Sequence, residues 1–250
     1  MGLNELLAKV TDPYERQARL YPALLAGLPL IVMATVLYGT NSVITAAGSV
    51  LASCGVLYLL TNIARERGKR IEPILFECWG GKPTTQLLRH RDRTIERPTK
   101  QRYHKFLSEK VKLEFPTDEA ETADPVSADE VYQSSIRWLL NHTRDKKNFA
   151  LLFGENLAYG FRRNSYALKN IGMVTSIGSL LWVLASQKII TRNSKCDVLL
   201  DLTAASPAAV VCMSVSVMMF LVWVLFFNKH TVRNAAFTYA ESLLRACDKS

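Results

Sequence analysis

The chain has 250 residues, with 31 Lys or Arg against 22 Asp or Glu, so its formal net charge is +9. Hydrophobic residues make up 49% of it and gather in four long runs, which excludes a chain that is soluble throughout. The five cysteines include no CxxC pair, so they do not imply a disulfide framework or a zinc site.

The four apolar runs predict membrane-spanning helices, because they are almost free of charged side chains and each is close to 20 residues long. About 20 helical residues, rising about 1.5 Å each, cross the hydrocarbon core of a bilayer. In lipid, a helix satisfies every backbone amide within its own segment. We therefore predict an all-α membrane protein with four transmembrane helices, at residues 21–38, 42–63, 171–190 and 207–227.

The four spans form two hairpins that flank a long, mainly helical insert. Lys and Arg lie beside the helix ends that face this insert, which predicts that the N-terminus, the insert and the C-terminus are cytoplasmic. The first apolar run is itself a full span, so no cleavable signal peptide is predicted. The predicted segments are an amphipathic stretch 1–20, a hairpin 21–63, a basic domain 64–170 with an acidic linker 114–130, a hairpin 171–227 and a C-terminal helix 228–250.

The insert has three zones of different charge. Residues 65–112 carry 14 Lys or Arg against 6 Asp or Glu, and residues 137–170 carry 7 basic residues against 2 acidic ones. Between them, residues 113–136 carry 7 acidic residues and no basic one. A solvent-exposed linker is predicted through the acidic zone as far as Pro125.

Helix signals occur on both sides of this linker. A capping box from Ser127 to Glu130 predicts the start of one helix. An amphipathic helix is predicted after Pro98, and the helix after the last span packs either on the insert or on a neighbouring subunit. The predicted outer faces of the helix after Pro98 carry Lys100, Arg102 and Lys105.

No catalytic signature is present. The triplet His90-Arg91-Asp92 resembles a kinase catalytic loop, but the Asn, the Gly-rich loop and the strand Lys of that enzyme class are missing. The segment from Gly80 to Thr84 lacks the glycine spacing of a P-loop. The four histidines share no metal-ligand spacing. We therefore predict a protein that is not an enzyme and that needs no cofactor.

Two stretches, 78–93 and 155–164, interleave aromatic rings with cations and place glycines beside them. Arginine offers paired donors to phosphate, and aromatic faces stack on bases, so both stretches suit a nucleotide or a short single strand. The candidate ligand-binding residues are Lys82, Arg89, Arg91, Arg93, Lys100, Arg102, Lys105, Tyr159, Arg162 and Arg163.

These cations also suit two roles that involve no soluble ligand. Arg162 and Arg163 suit anchors at the lipid headgroups, with Tyr159 as an interfacial aromatic residue. The arginines of the first stretch suit internal pairing with the acidic zone. The sequence leaves both roles open.

The cores of the spans lack Asp, Glu, Lys, Arg and His, which argues against a proton-coupled transporter or an ion pump. Small and hydroxylated residues recur instead, and they suit either close helix packing or a hydroxyl-lined pore formed by several subunits. The candidate pore-lining residues are Ser49, Ser53, Ser176, Ser179, Ser214 and Ser216.

The segments Trp79-Gly-Gly-Lys-Pro-Thr-Thr and Asn156-Leu-Ala-Tyr-Gly-Phe-Arg-Arg-Asn lie between two hydrophobic hairpins. In this layout the chain resembles a family of bacterial four-span proteins of anti-phage defence, of the kind found in the nucleotidyltransferase-linked Hailong system. The resemblance implies a homo-oligomeric channel, for which a tetramer is one arrangement, in the bacterial inner membrane. It also implies that short DNA oligomers, made by a partner nucleotidyltransferase, bind the cytoplasmic domain and hold the channel shut.

We therefore expect a non-enzymatic membrane effector that is controlled by a cytoplasmic anionic ligand. The alternative from another class is a non-conducting membrane scaffold that recruits a protein or nucleic-acid partner. Conductance in planar bilayers separates these two expectations, because a scaffold gives none.

Overall fold

The structure is a computed structural model that describes the backbone of residues 12–38, 43–192, 198–200 and 205–249. Side chains are described for residues 12–37, 58–189 and 205–249. The chain divides into two compact units. We call Met1–Lys69 with Gly160–Asn228 the membrane unit, and Arg70–Tyr159 with Lys229–Ser250 the polar unit.

The fold is helical. A π-helical segment, Glu15–Leu20, leads into α1 (Tyr21–Tyr38). The following helices are α2 (Val43–Cys78), α3 (Pro83–Leu88), α4 (Arg97–Val111), α5 (Asp118–Ala123), α6 (Pro125–His142), α7 (Ala150–Ser186), α8 (Pro207–Leu225) and α9 (Lys229–Leu244), with a 3₁₀ turn at Arg245–Asp248. Between α7 and α8, the three-residue strands β1 (Ile190–Arg192) and β2 (Val198–Leu200) pair antiparallel.

Among the described residues, three helical segments are long and apolar enough to cross a membrane: Glu15–Leu37, Ala150–Ser186 and Pro207–Leu225. They confirm the prediction of a multi-pass membrane protein. The remaining predicted span, 42–63, falls on α2, and the side chains of its first part lie outside the described residues. The four-span topology therefore stays a prediction at that helix.

Close backbone approach and hydroxyl hydrogen bonds pack the membrane unit. Thr175 on α7 donates to the carbonyl of Ala26 on α1 at 2.5 Å. Gly172 faces the fully buried ring of Trp223 on α8, and a Cβ at this position would overlap the indole. Small residues that let helices approach, with hydroxyls that bond across them, are typical of membrane helix packing.

The core of the polar unit joins the insert to the C-terminal helix. Leu87 of α3, Leu107 of α4 and Leu139 of α6 are fully buried in one cluster with Leu243 and Leu244 of α9. Of the two placements left open for this helix, packing on the insert is therefore the one observed.

The acidic stretch 114–130 is exposed at most of its positions, as predicted, but it is not an irregular linker. Most of it is helical, in α5 and the start of α6, and Glu121 is buried. The predicted capping box at Ser127 is wrong, because Asp124 is the N-cap and accepts from the amide of Ser127 at 3.1 Å. Pro125 suits the first turn of α6, since a proline lacks the amide hydrogen that this position leaves unused.

Candidate functional site

A cavity of about 300 Å³ lies within the polar unit. This volume is at the lower end of the range for small-molecule sites. Five helices contribute to its wall, from widely separated parts of the sequence. The lining residues are Glu72 and Phe76 of α2, Lys82, Pro83, Thr84 and Thr85 at the start of α3, Gln133, Ile136, Arg137 and Leu140 of α6, Tyr159 of α7, and Ala236 and Tyr239 of α9.

A glycine turn between α2 and α3 presents Lys82 to the cavity. Gly80 and Gly81 both have positive φ angles, 83° and 128°, which only glycine adopts without strain. The side chains of Gln86 and Arg89 donate to the carbonyls of Gly81 and Gly80 at 2.6 and 2.9 Å, so the turn is held from two sides. Lys82 itself is exposed and donates to Gln133, also in the wall, at 2.9 Å.

Two parallel tyrosine rings form the aromatic part of the wall. The Tyr159 and Tyr239 rings are stacked, with centroids 6.0 Å apart and planes inclined by 6°. Tyr159 also donates its hydroxyl hydrogen to Glu72 at 2.7 Å. This hydrogen bond fixes the ring of Tyr159, because a carboxylate acceptor makes a strong and directional bond.

Polar groups with spare hydrogen-bonding capacity line the same cavity. The Thr85 hydroxyl is buried and has no hydrogen-bond partner among the described residues. Buried hydroxyls are nearly always paired, so an unpaired one in a cavity wall indicates room for a polar ligand atom or water. Arg137 is exposed and makes no ion pair with any residue whose side chain the structure describes.

Arg89 and Lys100 are engaged inside the polar unit. Arg89 donates to both carboxylate oxygens of Asp129, at 2.8 and 2.5 Å, and this hydrogen bond raises the pKa of its guanidinium. Lys100 is only 4% exposed and donates to the carbonyls of Arg89 and Asp92, both at 2.7 Å, while burial lowers its pKa. The predicted outward position of Lys100 is therefore wrong, and internal pairing is observed for Arg89.

The remaining candidate cations lie elsewhere. Arg91, Arg93 and Lys105 are exposed, and Arg102 forms an exposed ion pair with Asp248 at 3.0 Å. Arg162 and Arg163 belong to the membrane unit. Of the ten candidates, the structure brings Lys82 and Tyr159 to one cavity.

The members of this cavity that sequence reasoning missed include one acid, one cation and one aromatic residue. Glu72, Arg137 and Tyr239 carry no motif and are separated by 65 and 102 residues of chain. One signal was available for Tyr239, which lies on the apolar face of the C-terminal amphipathic helix.

A buried polar network lies beside the Arg89 pair. Glu121 accepts from the hydroxyl of Tyr132 and from the amide of His90, both at 2.8 Å. The ring of His104 bonds the carbonyl of Leu88 at 2.7 Å, and burial lowers the pKa of His104 to about 4. This network explains why α5 is ordered against the core.

The serines singled out in the spans differ in their surroundings. Ser176, Ser179 and Ser216 are buried and donate to backbone carbonyls at 2.7, 3.2 and 2.8 Å. Ser214 is exposed. Ser49 and Ser53 lie on α2, where the side chains are outside the described residues.

No group of His, Cys, Asp and Glu that could hold a metal ion occurs among the residues that the structure describes. Comparison with protein-family models, with curated proteins and with solved structures gives no match. The class defined by the fold is a helical multi-pass membrane protein that carries a compact polar unit with its own cavity.

Proposed function

We propose that this chain is an oligomeric, channel- or pore-forming effector of the bacterial inner membrane, controlled by an anionic ligand that binds the polar unit. The ligand is a nucleotide or a short single-stranded DNA oligomer, supplied by a nucleotidyltransferase partner, and the setting is anti-phage defence. The observation that carries the proposal is the convergence of Lys82 and Tyr159, from two separate stretches, in one cavity.

The chemistry of the cavity supports an anionic ligand with a planar ring. Lys82 and Arg137 supply two positive charges, and neither forms an ion pair with a described side chain. The parallel rings of Tyr159 and Tyr239 supply a wall on which a base stacks. Exposed Arg91, Arg93 and Lys105 add positive charge to the same unit, which favours the approach of a polyanion.

The helices that line the cavity also supply a route for control. Tyr159 lies on α7, which continues to Ser186 as a candidate membrane span. Glu72 lies on α2, which begins at Val43 in the membrane unit. A ligand that binds one arrangement of these two helices more tightly than the other shifts the equilibrium between channel states. The size of the shift is set by the difference between its affinities for the two arrangements.

The test is ion flux from liposomes that contain the purified protein, with and without a short single-stranded DNA oligomer. We expect the oligomer to change the flux in a saturable and salt-dependent way. Lys82→Glu and Arg137→Glu should abolish this response, whereas Arg144→Glu, an equal charge change at an exposed residue outside the cavity, should keep it. An identical response in all variants contradicts the assignment of the site.

The second candidate is a non-conducting membrane scaffold. The hydrogen bond from Ser179 on α7 to the carbonyl of Pro29 on α1 favours it, because this hydroxyl joins two helices of one chain. Ser176 and Ser216 bond carbonyls of their own helices, so these hydroxyls are also engaged within the chain. Planar bilayers decide between the two, since a scaffold shows no unitary conductance under any ligand condition.

A further inference from the structure

We propose that the cavity of the polar unit holds one terminal nucleotide whose phosphate is a monoester, and that Lys82 and Arg137 recognise the higher charge of that phosphate. The internal nucleotides of a strand, which are joined by phosphodiesters, stay outside the cavity. This specificity rests on the proposed function for the class of ligand, and it goes beyond that function by naming the part of the ligand that is bound.

The size of the cavity suits one nucleotide rather than a length of strand. Its volume is about 300 Å³, whereas ligand pockets in proteins span about 300–1,000 Å³. Domains that bind single strands along their length cover about 4–16 nucleotides in a groove that follows the backbone. The wall of this smaller space comes from five helices of the polar unit. A strand therefore enters it by one end.

Two cations reach the same part of this cavity. Lys82 donates to Gln133 at 2.9 Å, and Gln133 precedes Arg137 by four residues on α6. Residues four apart on a helix lie on one face, with Cβ atoms about 5–6 Å apart. All three residues line the cavity, so both cations are within reach of a single anionic group.

The turn that carries Lys82 is tied to the helix that carries Arg137. Arg89 donates to the carbonyl of Gly80 at 2.9 Å, and its guanidinium also bonds both carboxylate oxygens of Asp129 on α6. Gly80 lies two residues before Lys82. These bonds hold the backbones of both cations in place before a ligand arrives, which lowers the conformational entropy that binding costs.

The charge of the phosphate decides which part of a strand these cations bind best. A phosphate monoester carries a charge of about −1.5 to −2 at pH 7 and three strong acceptor oxygens. A phosphodiester carries a single negative charge. Neither Lys82 nor Arg137 forms an ion pair with a described side chain, so a monoester offers each of them its own negative charge.

The acid in the wall does not cancel both cations. Glu72 comes from α2 and accepts the hydroxyl hydrogen of Tyr159 at 2.7 Å. The lining residues carry two cations and one carboxylate, which leaves a net charge of +1. A positively charged site attracts the more highly charged of the two kinds of phosphate more strongly.

The first test is equilibrium binding of three thymidine compounds to the full-length protein in detergent. They are dTMP, the methyl ester of dTMP (whose phosphate is a diester) and thymidine. We expect dTMP to bind at least about tenfold more tightly than the methyl ester, because one further hydrogen bond to a charged group contributes about one power of ten or more. Thymidine should bind most weakly, since it offers the cations no charge.

Two variants assign the preference to the cations. Arg137→Gln and Lys82→Gln should each remove most of the preference for dTMP over the methyl ester. Both residues are exposed, so both variants should fold. Arg144→Gln, an equal change at an exposed residue outside the cavity, should keep the preference. Equal binding of dTMP and its methyl ester by the wild type overturns the proposal, and so does an absence of dTMP binding.

The second test uses thymidine oligomers of one length that carry a phosphate at the 5′ end, at the 3′ end or at neither end. We expect a phosphate at one of the two ends to raise the affinity at least about tenfold. That result also identifies the end of the strand that the cavity binds. The same affinity for all three oligomers shows that the strand binds by its internal phosphates, and it overturns the proposal.

Liposome flux separates a failure of this specificity from a failure of the proposed function. Ion flux that responds equally to phosphorylated and unphosphorylated oligomers contradicts the recognition of the terminal phosphate and leaves ligand control in place. A preference for dTMP over its methyl ester, without any effect of nucleotides or oligomers on flux, supports the recognition of the terminal phosphate and contradicts ligand control of conduction.

Discussion

Tyr159 and Glu72 are 87 residues apart in sequence, and a 2.7 Å hydrogen bond joins their side chains within the polar unit. Tyr159 belongs to a helix that ends at Ser186, and Glu72 belongs to one that begins at Val43. The bond therefore ties together the polar ends of two helices that both extend into the membrane unit.

We predict that Tyr159→Phe lowers stability modestly and alters the ligand response. The lost hydrogen bond has a charged acceptor, so the free energy of unfolding should fall by about 1.5–3 kcal/mol. Thermal unfolding in detergent measures the first effect, and liposome flux measures the second. Tyr166→Phe, a half-exposed tyrosine on the same helix outside the cavity, serves as the control. A Tyr159→Phe protein that matches this control in both assays would contradict the prediction.

The Arg89–Asp129 ion pair should stabilise the polar unit more than the neighbouring exposed arginines do. Its side chains are only 11% and 24% exposed, and both carboxylate oxygens are bonded. Arg89→Ala leaves the largely buried carboxylate of Asp129 without its partner. The free energy of unfolding should therefore fall by about 2–3 kcal/mol. Arg91→Ala should stay within about 0.5 kcal/mol, because Arg91 is exposed. Chemical denaturation of both variants checks the difference, and equal midpoints would disprove it.

Stability should fall between about pH 6.5 and about pH 4 because of His104. Burial lowers its pKa to about 4, whereas the unfolded chain has the ordinary value of 6.5. In this window the unfolded state binds more protons, so stability decreases as the pH falls. The free energy of unfolding is lower by about 3 kcal/mol near pH 4, because each unit of pKa difference corresponds to about 1.36 kcal/mol.

The measurement for His104 is the urea midpoint at several pH values. His104→Phe keeps a ring in the cluster and should flatten the curve over this window. His230→Gln, at an exposed histidine, should leave the curve unchanged. An unaltered slope in His104→Phe would contradict the assignment of the acid sensitivity to His104.

Two glycines of α7 provide a matched pair in the membrane unit. A methyl group at Gly172 would overlap the buried indole of Trp223, whereas nothing lies within 4 Å of the corresponding position at Gly178. Gly172→Ala should therefore lower the free energy of unfolding by about 1–3 kcal/mol through overpacking. Gly178→Ala should leave the free energy of unfolding unchanged or raise it slightly, because alanine favours the helix. Thermal unfolding in detergent, followed by tryptophan fluorescence, measures both. Equal effects at the two positions would refute the close contact between α7 and α8.

The membrane helices could be predicted from sequence because their signal is local. A run of apolar residues is long enough to cross a bilayer regardless of what surrounds it, and the same holds for the amphipathic face of α9. The helical structure of the acidic stretch and the burial of Glu121 could not be predicted in this way. Glu121 is buried because its carboxylate meets the His90 amide and the Tyr132 hydroxyl, which are 31 and 11 residues away.

The cavity was predictable only in part for a similar reason. Lys82 and Tyr159 stand in stretches whose composition already indicates anion and ring binding. Glu72, Arg137 and Tyr239 acquire their role from packing, since each lies on a different helix with its own local pattern. Composition identifies residues with suitable chemistry, and tertiary contacts decide which of them meet.

The burial of Leu243 and Leu244 beside Leu87 has a consequence for biosynthesis. Chains are made from the N-terminus, so residues 70–159 of the polar unit leave the ribosome well before its remaining part, which begins at Lys229. Until the last helix is made, the apolar surface that it covers stays open to water and to chaperones. A chain that lacks residues 229–250 therefore holds an unfinished polar unit, and any activity that depends on that unit begins only after this segment has been made.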